Sequence, residues 1–187
     1  MIGYPTKKKV NQVIKTAESA KRGMSLEEDI NQSNQVFLDR HLANIHKKPT
    51  PITIVKVDYP SRNKAKITEA YFKIPSTTDY NGVYKGRAID FEAKETANKT
   101  SFSLSNIHPH QIKHMENVKE HGGLCFLILR FTSFNETYYL NIDKLSDFTN
   151  NQVRKSLPYA WIKLNGHLIP YNFLIPVNYL VILDKYL

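Results

Sequence analysis

The segment LCFLILRF, Leu124–Phe131, is apolar at every position but Arg130. A strand without polar alternation is buried on both faces, so both sides of its sheet must be covered. Just before it, Gln111, Ile112, Met115, Val118 and Lys119 fit a helix that Pro109 can start and Gly122-Gly123 can stop. Glu136–Ile142 is predicted as the strand's neighbour, parallel or antiparallel. Upstream, Ser25 followed by Glu28 is a capping-box pattern, which places a helix from near Leu26 to near His41. Strands are predicted over 42–47, 52–59, 67–74, 79–84 and 88–96, with a turn at Lys85-Gly86. The stretch 98–106 reads as polar loop. Asn165-Gly166 suits a hairpin turn or a helix C-cap, and 178–186 a terminal helix. This succession favours one mixed-sheet α/β domain.

The 187 residues include 26 Lys plus Arg against 17 Asp plus Glu, a formal net charge of +9. With 41% hydrophobic and 23% charged residues, the composition is that of a globular chain. The single cysteine, Cys125, excludes an internal disulfide or a Cys-rich zinc module; it lies in the apolar run and is expected to be a buried, inert thiol. His108, His110 and His114 have no second cluster at ligand spacing, so zinc is not expected. No apolar run reaches the roughly 18–20 residues that span a bilayer, and the basic N-terminus has no apolar stretch behind it. A soluble, reducing, intracellular setting and a polyanionic partner are the expectations.

The excess charge is concentrated. Lys7, Lys8, Lys9, Lys15, Lys21 and Arg22 face only Glu18 before Ser25, which suggests a basic arm. Lys56, Arg62, Lys64, Lys66 and Lys73 outnumber Asp58 and Glu69, with Tyr59, Tyr71 and Phe72 interleaved. Basic and aromatic side chains together suit phosphate contact and base stacking. They suit an ordinary solvated hairpin equally. Lys85 and Lys99 are further candidate DNA contacts.

The chemistry is carried by residues 76–96. Asp90, Glu92 and Lys94 alternate with Ile89, Phe91 and Ala93, so the charged groups share one strand face. An antiparallel pairing across the Lys85-Gly86 turn would bring Asp79 toward Glu92 and Lys94. An Asp and a Glu converging on one point form a hard oxygen site suited to Mg²⁺ or Mn²⁺. A lysine beside them can hold or deprotonate an attacking water, and the metal can neutralise charge developing on a phosphate.

Asp79 followed by Glu92-Ala93-Lys94 resembles the PD-(D/E)xK motif of restriction-endonuclease-like nucleases, with Thr78 in place of proline. RGMSLEEDIN (Arg22–Asn31), HKKPTPITIVKVDYP (His46–Pro60), EAYFK (Glu69–Lys73), STTDYNGVYKG (Ser76–Gly86), IDFEAKET (Ile89–Thr96) and HPHQI (His108–Ile112) resemble the RecU Holliday junction resolvase family of Gram-positive bacteria and some of their phages. The likeness is close over Arg22–Phe131 and looser beyond.

The resemblance implies a restriction-endonuclease-like α/β domain, with a central mixed sheet flanked by helices and a projecting hairpin stalk. The expected organisation is a basic arm over residues 1–22 and a nuclease domain over 23–187, with the stalk over about 56–74. Asp79 and Glu92 would be the main metal ligands, and Lys94 would orient or activate water. Glu27 matches the acidic residue that completes the site, with Glu28 a capping residue; the two could be reversed. Gln111 matches a supporting glutamine. Thr77 and Thr78 can offer hydroxyls to bound water or phosphate, and Asp90 would be a partner of Lys94 or simply surface. Arg62, Lys64, Lys66, Tyr71 and Phe72 would contact the junction, with Arg22 and Lys73 as further basic contacts.

A homodimer acting on four-way junction DNA is then expected, making paired nicks in recombination and repair in the bacterial cytoplasm at the nucleoid. The RecA recombinase is an implied partner. Two rivals are a non-catalytic DNA-binding protein of this fold and a nuclease of this fold aimed at other DNA. The first would be marked by a broken motif, whereas Asp79, Glu92, Lys94, Glu27 and Gln111 are all present.

Overall fold

The computed structural model describes residues 25–61, 64–73, 77–151 and 153–187. The basic arm, Arg22 included, and Arg62 lie outside the described residues. Helix α1 (Leu26–Asp39) starts at the capping box: Ser25 Oγ accepts from the Glu28 amide at 3.3 Å, and the Ser25 amide donates to Glu28 Oε2 at 2.8 Å. Glu27, Glu28 and Asp29 in its first turn complement the helix dipole. Five strands follow: β1 (Ala43–Lys47), β2 (Ile52–Asp58), β3 (Lys66–Phe72), β4 (Tyr80–Tyr84) and β5 (Arg87–Thr96). Next come β6 (Ser101–Ser103), α2 (Pro109–Glu120), β7 (Leu124–Phe131) and β8 (Glu136–Asn141). The chain ends with α3 (Ile142–Asn151), β9 (Ser156–Pro158), α4 (Tyr159–Asn165), β10 (His167–Ile169) and α5 (Leu180–Leu183).

The main sheet has the order β1-β4-β5-β7-β8-β10. Strands β5 and β7 run parallel, and the other pairings in that sheet are antiparallel. Every residue of β7 is buried, as a strand covered on both faces requires. One face packs Ile30 and Phe37 of α1 and the C-terminal Tyr179 against Phe91 and Phe126. The other packs Met115 of α2 with Phe102, Leu127, Leu145 and Ile162. The mixed sheet flanked by helices is the expected fold class.

An aromatic row sets the register. Tyr80, Phe91, Phe126 and Tyr139 lie on four adjacent strands, with successive ring centroids 4.8, 4.7 and 4.7 Å apart. Such pairs add about 0.5–1.5 kcal/mol each beyond burial. Tyr80 opposes Phe91 at the end of the β4–β5 ladder, and Asp79 and Glu92 are the residues next to that pair. Lys85 (φ 47°) and Gly86 (φ 76°) form the tight turn between β4 and β5, the two positive φ values a two-residue hairpin calls for. Gly82 lets β1 approach, because a Cβ there would lie 2.1 Å from the Asn44 carbonyl oxygen.

Strands β2 and β3 form a separate ribbon with both faces exposed apart from Val57, which is half-buried. It covers most of the segment expected to form a hairpin. Of the two readings of Asn165-Gly166, the helix C-cap holds: Gly166 closes α4, its amide donating to the Ile162 carbonyl. Two expectations need correction. Polar composition over 98–106 conceals β6, whose Phe102 is fully buried where β6 pairs with β9. The terminal helix is only one turn, Leu180–Leu183, followed by a 3₁₀ turn. There Tyr84 holds Asp184 and Arg87 binds the Tyr186 carbonyl. Among the described residues, no helix is long and apolar enough to cross a membrane.

Candidate active site

Tyr80 and Phe91 stack on one face of the sheet, so their neighbours Asp79 and Glu92 turn to the other. The Asp79 amide donates to Glu92 Oε2 at 3.0 Å, and the Ala93 amide donates to Asp79 Oδ2 at 3.4 Å. Lys94 Nζ forms an ion pair with Glu92 Oε1 and lies 3.7 Å from Asp79 Oδ2. The structure thus brings together the Asp, Glu and Lys that the sequence singled out. Asp79 and Lys94 stand on the wall of a cleft of about 660 Å³, which also includes Glu27, Lys47, Lys48, Thr77 and Thr78, while Glu92 is buried behind them.

Electrostatics distinguish the three groups. Glu92 is fully buried, and its carboxyl is pushed up to about 7 by burial and then by the Asp79 charge, against the pull of Lys94. Burial alone would lower Lys94, but hydrogen bonding and charge from Glu92, with charge from Asp79, leave its ammonium above the ordinary range. Lys94 is therefore a cation here, suited to orienting water or phosphate oxygen rather than to accepting a proton.

The donor set fits a hard divalent cation. Asp79 and Glu92 offer carboxylate oxygens from adjacent strands, and burial holds Glu92 short of full ionisation in a way that a cation would relieve. Among the described residues, no three His, Cys, Asp or Glu side chains converge as a metal cluster. Glu28 is committed to the helix cap, whereas Glu27 faces the cleft and pairs with Lys47 at 2.6 Å. Burial and then the Glu27 and Asp79 charges push the Tyr80 phenol up. Gln111 is buried outside the cleft wall, its Oε1 accepting from the His108 amide at 3.0 Å at the start of α2.

Asp90 is neither a partner of Lys94 nor surface. It is buried and takes Lys48 Nζ at 2.9 Å, with the Thr78 hydroxyl and His114 beside it. Sequence reading missed Lys48, and it missed Glu95, whose Oε2 accepts from the Leu26 amide at 3.1 Å and anchors α1 to β5. Lys85 lies at the turn end of β4, opposite the Asp79 end, and pairs with Asp184 at 2.6 Å. Lys64, Lys66, Lys73 and Lys99 are exposed, as are Tyr71 and Phe72. Burial pushes the Cys125 thiol up to about 12, in keeping with an inert group.

Fold and site define an α/β protein with an Asp–Glu–Lys centre between paired strands. The family described as Recombination protein U matches residues 21–185. Similar proteins include "Holliday junction resolvase RecU" of Geobacillus kaustophilus, 54% identical over 172 residues that cover 90% of this chain and 86% of that protein. The protein of the same description from Oceanobacillus iheyensis is 50% identical over 193 aligned positions and 98% of each chain. The chain belongs to the RecU family. The solved structure of Archaeoglobus fulgidus Hjc, described as a Holliday junction resolvase, aligns at a TM-score of 0.43 and 9% identity. That alignment covers 76% of this chain and 91% of that one, a likeness too remote to add to the family match.

Proposed function

We propose that the chain is a metal-dependent endonuclease that resolves four-way DNA junctions by paired nicks in recombination and repair. The observation that carries this reading is the convergence of Asp79, Glu92 and Lys94 on one another, with Asp79 and Lys94 facing the cleft. Family membership supports it. Asp79 and Glu92 would hold Mg²⁺ or Mn²⁺, and Glu27 faces the same cleft. When bound, the ion supplies positive charge against a phosphate oxygen and a more acidic water. Lys94, held as an ammonium, orients the attacking water or a phosphate oxygen by donating hydrogen bonds. Thr77, on the cleft wall, offers a hydroxyl to the same region.

The ribbon of β2 and β3 supplies recognition. Its Tyr71 and Phe72 are 61% and 85% exposed at the Lys73 end, and Lys64 and Lys66 are exposed at the other end, so the ribbon offers aromatic faces and charges along its length to unpaired bases and phosphates. Junction shape and phosphate position then select the substrate, with base readout secondary. The two-fold symmetry of a junction calls for a homodimer, one centre for each cut strand. The protein works in the bacterial cytoplasm at the nucleoid, with RecA as a partner. Mg²⁺-dependent cleavage of four-way, linear and flapped DNA tests the reading. Preferential cutting of the junction is expected. Equal cutting of all three would mark a differently targeted nuclease, and binding without cutting a non-catalytic protein.

A further inference from the structure

Strand β4 begins at Tyr80, so Asp79 lies just outside the sheet's ladder. Lys48 adds to the restraints that Glu92 and Ala93 place on it. Its backbone amide donates to the Asp79 carbonyl at 2.8 Å. Its Nζ donates to Thr78 Oγ1 at 3.0 Å and to Asp90 Oδ2 at 2.9 Å. Thr78 Oγ1 in turn donates to Asp90 Oδ1, and His114 Nε2 lies 3.3 Å from that oxygen. The Lys48 and Asp90 side chains are 20% and 9% exposed. Buried ion pairs add little net stability, because desolvation offsets their attraction. This one joins three segments: the loop after β1, the approach to β4, and β5 two residues before Glu92.

We propose that Lys48, acting through Thr78 and Asp90, is a positioning residue that fixes Asp79 against Glu92 for cation binding. The inference rests on the reading that Asp79 and Glu92 hold a divalent cation. The sign of the effect is decisive. If Lys48 acted only as a nearby positive charge, removing it would tighten cation binding; if it positions Asp79, removing it weakens binding.

Calorimetric titration of Mn²⁺ into the full chain without DNA reads this directly. Lys48→Met alone leaves Asp90 buried without its cation and can cost folding. The deciding variant is therefore Lys48→Met/Asp90→Asn, which keeps net charge constant, with folding checked by thermal unfolding. Its Mn²⁺ affinity is expected to fall roughly 10- to 100-fold, the usual effect of losing groups that orient ligands, with Lys48→Arg recovering part of it. The Mg²⁺ concentration for half-maximal cleavage should rise in parallel, with the rate at saturating Mg²⁺ largely kept. Mn²⁺ affinity within about twofold of wild type in the double variant would overturn the proposal. Asp79→Asn separates the two claims. If it abolishes Mn²⁺ binding while the double variant does not weaken it, only the role of Lys48 is wrong. If Asp79→Asn leaves binding intact, the cation site and the role of Lys48 fall together.

Discussion

The Asp79 amide donates to Glu92 Oε2 at 3.0 Å, so backbone and carboxylate are locked across two strands before any ligand arrives. The price of this arrangement falls on Glu92. Its carboxyl is fully buried and pushed from 4.5 up to about 7 by desolvation and the Asp79 charge. A folded-state value above the unfolded one means that the folded chain binds the proton more tightly. The stabilisation is complete below about 4.5 and is lost as pH rises through about 7. Without divalent ions, Glu92→Gln should flatten the stability profile and be more stable than wild type above pH 7, by about 1–3 kcal/mol. Denaturant titrations across that window check it; an equally steep profile in the variant would refute the assignment.

Gly82→Ala should destabilise the fold by about 1–3 kcal/mol, since a Cβ would sit 2.1 Å from the Asn44 oxygen and 2.6 Å from Ile45 Cα. Both neighbours are backbone atoms, so β1 must move, and Lys47 and Lys48 move with it. Chemical denaturation measures the loss. Wild-type stability would show that β1 does not pack as described.

Removing charge at Arg62, Lys64 and Lys66 together should weaken junction binding and flatten its salt dependence, the log–log slope falling by roughly 0.9 for each phosphate no longer neutralised. Tyr71→Ala and Phe72→Ala should each weaken binding by about 1–3 kcal/mol if a base stacks there. Filter-binding titrations across salt concentrations separate the two effects. Unchanged affinity and slope would remove the ribbon from recognition.

Local patterns were the legible part of this chain. The Ser25–Glu28 cap, the alternation through Asp90, Glu92 and Lys94, and the apolar run at Leu124–Phe131 each depend on neighbours a few residues apart. The pairing of Asp79 with Glu92 was also readable, because one tight turn links their strands. What could not be read depends on long separations. Lys48 meets Asp90 across 42 residues, and Lys85 meets Asp184 across 99. Strands β6, β9 and β10, at three residues each, are too short to carry a period. Asp90 misled for a related reason. Its place in the alternation is that of a solvated charge, and only the approach of Lys48 and Thr78 makes burial tolerable.

The most direct measurement compares wild type with Asp79→Ala on one synthetic four-way junction, reading cleavage with Mg²⁺ and binding without it. Wild type should nick opposing strands in pairs, and the variant should bind with similar affinity while cutting is abolished. Cleavage by Asp79→Ala at the wild-type rate would contradict the assignment of Asp79 and Glu92 as the centre of the reaction.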